Sequence, residues 1–239
     1  MTIRVGLLGM GNTGRIIAES IFRDKRFDLV FAVKKTTPRP IDYRYSVETR
    51  EMLPHLIKKF RPNIIVDFTK PEATLENIKC LSKGMGIVIG TTGFDREQIC
   101  ALRRYGRKLR MLYAPNISSG INILMKLCQI VHRFWKDADI EIIEEHFREK
   151  KDSPSGTAKK ISDLFKQEIP IHSIRAGAIT GEHKILFVTK TQKITLSHSS
   201  FSRQVFADGT KKAALWLNQR RRNKFYTMED VYGESIFKD

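Results

Sequence analysis

Six residues near the N-terminus constrain the fold most: Gly9-Met10-Gly11-Asn12-Thr13-Gly14, a G-x-G-x-x-G pattern. They close a short apolar run, Ile3–Gly9, that reads as a buried strand, and they open a stretch of helical spacing from about Gly14 to Phe22. In a strand–loop–helix unit each glycine has its own task. The first permits the tight turn, the second lets a pyrophosphate approach the backbone, and the third lets helix and strand pack closely. The free N–H groups of the first helical turn then face the anion. The letters alone are weak, because a glycine turn without a ligand reads the same. Their place directly behind an apolar strand strengthens the nucleotide reading.

The pattern continues as strands alternating with helices. Leu29–Val33, Asn63–Phe68, Gly86–Gly90 and Met111–Ala114 read as short apolar strands, and helices are expected over Thr49–Phe60, Glu72–Ser82 and near Asp95–Tyr105. Such alternation predicts right-handed β-α-β units and a parallel sheet. Short, continuous apolar runs suit strands covered on both faces.

After about Pro115 the pattern changes. A helix fits Ile121–Lys136, a longer strand Ile140–Phe147, and a helix Thr157–Gln167. Ile185–Val188 and Lys193–Ser199 alternate apolar and polar residues around a turn at Lys190–Gln192, as an antiparallel hairpin does. The expected fold is therefore α/β: an N-terminal Rossmann-type parallel-sheet domain plus a C-terminal α+β domain with a mixed or antiparallel sheet. Thr210–Leu217 returns to helical spacing and is expected to pack back on the first domain. The domains are placed at 1–116 plus 208–239 for dinucleotide binding and at 117–207 for substrate binding and oligomerisation.

Composition narrows the function classes. No apolar run approaches the ~20 residues needed to span a bilayer, so no membrane partner is expected. The N-terminus enters a strand at once and does not resemble a signal peptide. Three cysteines, Cys80, Cys100 and Cys128, stand at unrelated spacings. They suggest neither a zinc site nor a disulfide framework, so no metal and a reducing cytoplasmic location are expected. The net charge is +17, with basic runs at Arg103–Arg110 and Arg220–Lys224. Neither run carries the interleaved stacking aromatics of a single-strand binder. They read as solvated helix ends and loops, with no nucleic-acid partner.

Two local features suggest chemistry. The dinucleotide fingerprint expects an acidic residue about 20 positions beyond the loop, on the ribose 2′-hydroxyl. Here that count reaches Lys34, in the run Lys34-Lys35-Thr36-Thr37. A lysine attracts a 2′-phosphate where a carboxylate repels it, so NADPH is expected to be preferred, with NADH possible. The alternative is a pair of lysines merely exposed at a strand end. The second feature is Glu144–Ala158, EEHFREKKDSPSGTA. His146 can exchange a proton near neutral pH, and Lys150 is a cation for a carboxylate or an acid. Asp152-Ser153-Pro154-Ser155-Gly156-Thr157 looks like a capped helix start, with proline early and hydroxyls in capping positions. Read locally, an ordinary capped helix after an edge strand is an equal alternative. His183 and His198 read as surface or satisfied core histidines.

This segment resembles the E-x-H-H-x-x-K-x-D-x-P-S-G-T-A signature of the dihydrodipicolinate reductases. The resemblance runs on through the glycine loop, Asp67-Phe68-Thr69 with Pro71, Gly90-Thr91-Thr92-Gly93, and Ala114-Pro115-Asn116-Ile117-Ser118 with Gly120. It continues through Arg175-x-Gly177, Gly181-Glu182-His183, His198, Ser202-Arg203, Phe206-Ala207 and Met228-Glu229-Asp230-Val231. It implies NAD(P)H-dependent reduction of 4-hydroxy-tetrahydrodipicolinate in the diaminopimelate and lysine pathway, by a cytoplasmic homotetramer. It also implies roles. Gly9, Met10, Gly11, Asn12, Thr13 and Gly14 would hold the pyrophosphate. Gly90, Thr91, Thr92 and the turn Ala114, Pro115, Asn116, Ile117 would line the nicotinamide end, with Asp67, Phe68 and Thr69 at the strand end nearby. His146 and Lys150 would be catalytic, and Gly156 and Thr157 would bind a substrate carboxylate. The chain departs from the pattern at Phe147, where a second histidine is usual, at Lys34, where an acid is common, and in a glycine loop one residue shorter. Two other classes fit the residues less well: another Rossmann oxidoreductase such as an amino-acid dehydrogenase, and a non-catalytic polyanion binder.

Overall fold

The computed structural model describes residues 2–35 and 45–233. In chain order the first elements are β1 (Ile3–Leu8), α1 (Asn12–Phe22), β2 (Phe27–Lys34), β3 (Ser46–Thr49), α2 (Leu53–Phe60) and β4 (Ile64–Asp67). Next come α3 (Pro71–Lys79), β5 (Gly86–Ile89), α4 (Arg96–Tyr105), β6 (Arg110–Tyr113), α5 (Ser119–Phe134) and β7 (Asp139–His146). They are followed by α6 (Gly156–Ser162), β8 (Ile171–Arg175), β9 (Glu182–Val188), β10 (Lys193–Ser199), α7 (Gln204–Asn218), β11 (Lys224–Thr227) and α8 (Met228–Gly233). The chain divides into two compact units, Met1–Ile117 with Phe206–Asp239, and Ser118–Val205.

The first unit holds a sheet of seven described strands in the order β11-β6-β5-β4-β1-β2-β3. Every pairing in it is parallel. Successive strand side chains point to opposite faces, and both faces are apolar. Leu7, Val66, Val88 and Leu112 pack with Ile17, Ile21, Ala213 and Leu217 of α1 and α7. Their neighbours Leu8, Ile65, Ile87 and Met111 pack on the other face with Leu53, Leu56, Ile78 and Leu102 of α2, α3 and α4. Burying each such side chain contributes about 1.5–3 kcal/mol. That is why the strands read as unbroken apolar runs. The helix expected from Thr210 does join this unit's core.

One expected helix is corrected. Thr49–Phe60 is not helical throughout: Ser46–Thr49 pairs with Phe31–Lys34 as an edge strand, Arg50–Met52 makes a 3-10 turn, and α2 begins at Leu53. The unpaired edge of β2 recruits this segment, and local spacing does not reveal such a partner. The half-exposed β8 and the four-residue β11 escape the apolar pattern for the same reason.

The second unit is a four-stranded mixed sheet in the order β10-β9-β7-β8. β7 runs parallel to β8 and antiparallel to β9, and β9 is antiparallel to β10. The period of two places Ile140, Ile142, Glu144 and His146 of β7 on the buried face. Ile140 and Ile142 pack there with Ile185 and Phe187 of β9, under Ile121, Leu124 and Cys128 of α5 and Ala158 and Ile161 of α6. The apolar row therefore ends in two polar residues that remain buried.

Candidate active site

In the first unit the strand order reverses at β1: β2 and β3 lie to one side, and β4, β5, β6 and β11 to the other. Open parallel sheets bind ligands outside the carboxyl ends of their strands at such a switch point. A cleft of about 400 Å³ opens there. The loop after β1 contributes Gly11, Asn12, Thr13 and Gly14. The loops after β4 and β5 add Phe68 and Thr69, and Gly90, Thr91 and Thr92. Ala114, Pro115 and Ile117 follow β6, and Phe206 comes from α7.

The glycine loop fits a dinucleotide phosphate. Gly9 takes φ +97°, and a Cβ there would lie 2.3 Å from the Phe68 carbonyl oxygen. A Cβ on Gly14 would lie 1.8 Å from the Gly9 carbonyl oxygen, so only glycine lets α1 sit this close to the turn. At Gly11 a Cβ would meet nothing within 4 Å. Gly11 is also the N-cap of α1; no side chain caps that terminus and no acid stands in its first turn. The first-turn N–H groups are thus left for an anion.

Other expected cofactor residues sit differently. Gly9 forms the turn, its N–H donating to the Val33 carbonyl at 2.9 Å. Met10 is buried in the core and does not line the cleft. Asn116 lies between the lining residues Pro115 and Ile117. Lys34 ends β2, one residue beyond the Val33 that pairs with Leu8, so it stands beside the glycine turn. Thr36 and Thr37 fall outside the described residues.

Asp67, at the end of β4, is fully buried. Its Oδ1 accepts from Thr69 N at 3.0 Å, Thr69 Oγ1 at 2.6 Å, Thr74 Oγ1 at 3.1 Å and Thr91 Oγ1 at 3.0 Å, and its Oδ2 from Asn77 Nδ2 at 3.0 Å. Burial pushes its carboxyl up in spite of these donors. Two of the donor residues, Thr69 and Thr91, line the cleft, so this carboxyl ties two cleft loops together.

The second cluster lies in the other unit, around β7. His146 Nδ1 is 2.5 Å from Glu144 Oε2. Arg175, opposite His146 on β8, donates from Nη1 to Glu144 Oε2 at 3.0 Å and from Nη2 to Oε1 at 2.6 Å. The Ser155 N–H donates to Oε1 at 3.2 Å. Burial pushes the Glu144 carboxyl up, but hydrogen bonds from Arg175 above all, and from His146 and the Ser155 N–H, outweigh it and hold the group at about 2. Burial lowers His146 against the pull of Glu144, and Lys150 and Arg175 lower it further. Its ring is mainly neutral near pH 7.

Lys150 Nζ donates to Asp152 Oδ1 at 2.6 Å, and the Gly156 N–H donates to Asp152 Oδ2 at 3.3 Å. One internal carboxylate thus engages two groups expected to meet the substrate. Thr157 stands next, in the first turn of α6. Ser155 caps α6, accepting from the Ala158 N–H at 3.1 Å. Its Oγ is also 3.3 Å from His183 Nε2.

His183 corrects the expectation of a satisfied or surface histidine. It is buried, its Nδ1 has no hydrogen-bond partner, and its ring meets His146 edge-on at 5.3 Å. Burial brings it down to about 4. His198 is half-buried, and its Nδ1 is likewise unpartnered. The basic runs are mostly solvated, as expected; Arg110 and Arg220 are half-buried, Arg110 donating to the carbonyls of Gly84, Leu217 and Arg220, and Arg220 lying over the Trp216 ring. Local sequence reasoning missed Glu144 and Arg175 as partners of His146. The alternation of β7 could have placed Glu144 beside His146, whereas Arg175 requires the β7–β8 register.

Both halves of the chain match one family: residues 3–117 match the N-terminal model of dihydrodipicolinate reductase, and residues 120–232 the C-terminal model. The chain belongs to the dihydrodipicolinate reductase family. A 4-hydroxy-tetrahydrodipicolinate reductase of Buchnera aphidicola subsp. Cinara cedri is 34% identical, over 93% of each chain. One from Hahella chejuensis is 37% identical over 72% of this chain and 73% of its own. Among solved structures, the dipicolinate-bound dihydrodipicolinate reductase of Paenisporosarcina sp. TG-14 superposes with a TM-score of 0.84 at 27% identity, covering 97% of this chain and 100% of that one. This family member is an oxidoreductase with a nicotinamide-cofactor domain.

Proposed function

We propose that the protein catalyses NAD(P)H-dependent reduction of 4-hydroxy-tetrahydrodipicolinate to tetrahydrodipicolinate in lysine and diaminopimelate biosynthesis. The reading is carried by one conjunction within this family: an uncapped glycine-loop cleft at the switch point, and a buried histidine–carboxylate pair beside Lys150. Residues 1–116 and 208–239 form the dinucleotide-binding domain in this reading, and 117–207 the substrate and oligomerisation domain. The nicotinamide supplies the hydride when bound.

The chain's own residues bind, orient and handle charge. The N–H groups at Gly11–Gly14 take the pyrophosphate, with Gly9 and Met10 shaping the turn. Gly90, Thr91, Thr92, Ala114, Pro115, Asn116 and Ile117 line the nicotinamide end. Lys34 attracts a 2′-phosphate, which makes NADPH the preferred cofactor and NADH the weaker one. His146 and Lys150 handle the proton and stabilise negative charge developing on the substrate ring. Gly156 and Thr157 take a substrate carboxylate, which displaces Asp152 from Gly156 and Lys150. The relative solved with dipicolinate bound supports a small dicarboxylate as ligand.

A homotetramer is proposed through the outer face of the second sheet, where Ile174 of β8 is exposed opposite Glu145 of β7. A cytoplasmic location suits the free thiols of Cys80, Cys100 and Cys128. No described helix is long and apolar enough to cross a membrane.

The test is spectrophotometric: oxidation of NADPH on addition of freshly generated 4-hydroxy-tetrahydrodipicolinate. Turnover that requires both is expected. Absence of substrate-dependent oxidation, with salt-sensitive polyanion binding instead, would replace this reading by the non-catalytic one.

A further inference from the structure

His146 is gripped at one nitrogen. Its Nδ1 meets Glu144 Oε2, and Arg175 engages both oxygens of that carboxyl, which is fully buried. A carboxyl held by a two-pronged guanidinium and the Ser155 N–H stays ionised. An ionised carboxylate only accepts hydrogen bonds, so the hydrogen of the contact resides on His146 Nδ1. In the neutral ring the lone pair is then on Nε2. That atom faces Gly181, where even a Cβ would come within 3.2 Å, so no side chain at this position covers it.

We propose that Glu144, clamped by Arg175, is a positioning residue that fixes the tautomer and orientation of His146, leaving Nε2 as the working nitrogen and making the ring a proton donor only as imidazolium. This rests on the reductase reading above. The backbone explains the arrangement. Glu144 and His146 share one face of β7, two residues apart, and the β7–β8 register sets Arg175 opposite His146. The same logic holds a histidine in a catalytic triad, where a buried carboxylate orients the ring without taking its proton.

The charges around the ring decide when it is protonated. Glu144, from β7, favours the imidazolium. Arg175 from β8 and Lys150 from the following loop oppose it. Asp152 holds Lys150 and offsets part of that charge. His183 of β9 touches the ring edge-on, with His198 of β10 in its surroundings. Buried neutral, His183 adds no charge near pH 7. A dicarboxylate substrate adds negative charge and so favours the imidazolium. In the proton step the Nε2–H bond breaks and its electron pair stays on nitrogen. A C–H bond forms at the substrate carbon left electron-rich by hydride addition. The ring returns to the neutral form with its hydrogen on Nδ1, and water restores the proton.

The test uses the full chain with 15N-labelled histidine, as wild type, Glu144→Gln and Glu144→Asp, with His146→Gln to assign the resonances. Ring nitrogen shifts are followed with pH, and kcat and the KM for NADPH are measured in parallel. The wild type and Glu144→Asp are expected to show the Nδ1–H tautomer above neutral pH. Glu144→Gln is expected to populate the Nε2–H tautomer and to lose turnover by about tenfold to a thousandfold. The alkaline limb of its kcat profile should move to lower pH, because the imidazolium has lost its carboxylate, while the KM for NADPH stays within about twofold of wild type. An Nε2–H tautomer in the wild type would overturn the proposal, as would a Glu144→Gln profile reduced in height but unshifted. Should Glu144→Gln fail to fold, the tautomers of the wild type and Glu144→Asp decide. A wild type without turnover would sink the reductase reading and leave the spectra to judge the positioning.

Discussion

Replacing Arg175 by methionine isolates the energetics of the buried cluster. Methionine keeps much of the length and removes the charge. It leaves Glu144, fully buried, with His146 and the Ser155 N–H as partners. A carboxyl held at about 2 rather than at an ordinary glutamate's 4.5 contributes about 3 kcal/mol at neutral pH, at 1.36 kcal/mol per tenfold in proton affinity. Breaking a buried pair from one side costs about 3–5 kcal/mol, and the two estimates agree. The pH dependence carries the sharper signal. For a carboxyl whose folded value is depressed, the stabilisation is complete above the unfolded value near 4.5 and is lost as pH falls towards 2. In Arg175→Met burial acts with less opposition and the Glu144 value rises, so the folded variant holds a proton more tightly than the unfolded chain does. His146, relieved of the Arg175 charge, also takes up a proton more readily and partly replaces the guanidinium. The stability gap between wild type and variant should therefore be about 3–5 kcal/mol at pH 7 and should narrow towards pH 4. Urea unfolding followed by Trp135, which packs in this unit's core, in a Trp216→Phe background measures it. A gap below about 1 kcal/mol at pH 7, or one that does not change between the two pH values, would refute the reasoning.

Three further outcomes are expected. Gly14→Ala puts a Cβ 1.8 Å from the Gly9 carbonyl oxygen; it should destabilise the first unit by about 1–3 kcal/mol and weaken NADPH binding, read by thermal melting and cofactor fluorescence. Lys34→Glu should reduce the ratio of kcat/KM for NADPH over NADH by about tenfold or more, the scale of one charge reversal near a surface phosphate; an unchanged ratio would leave Lys34 a simple strand-end lysine. His146→Gln and Lys150→Ala should each reduce turnover by about 10²–10⁴-fold while the Kd for NADPH, measured by titration, stays near wild type. Wild-type turnover in both would remove them from the chemistry.

Much of this molecule is legible in the order of its residues. The unbroken apolar runs of β1, β4, β5 and β6 announce strands covered on both sides, and the glycine spacing announces the turn that α1 closes on. Gly14 is a case where letter and geometry agree, because only a missing Cβ admits the Gly9 carbonyl. The segment 49–52 is the opposite case. Its letters fit the start of a helix, but the open edge of β2 offers backbone partners and takes Thr49 as the last residue of β3, and Arg50–Met52 turn as a 3-10 helix before α2 begins. Local spacing carries no information about an edge left open by a strand elsewhere.

The cluster on β7 divides in the same way. Sequence by itself determined which residues are present: a histidine two places from a glutamate on an alternating strand, then a lysine, an aspartate and a capped helix start. Only the tertiary structure decided what they are to one another. The β7–β8 register supplies Arg175 as the counter-charge that keeps Glu144 ionised, β9 supplies His183 against the imidazole edge, and Asp152 folds back onto Lys150 and the Gly156 N–H. Alternation along a strand follows from its own backbone and can be counted. The charge state of a buried carboxyl follows from which cation another strand brings within 3 Å, and that distance exists only once the chain has folded.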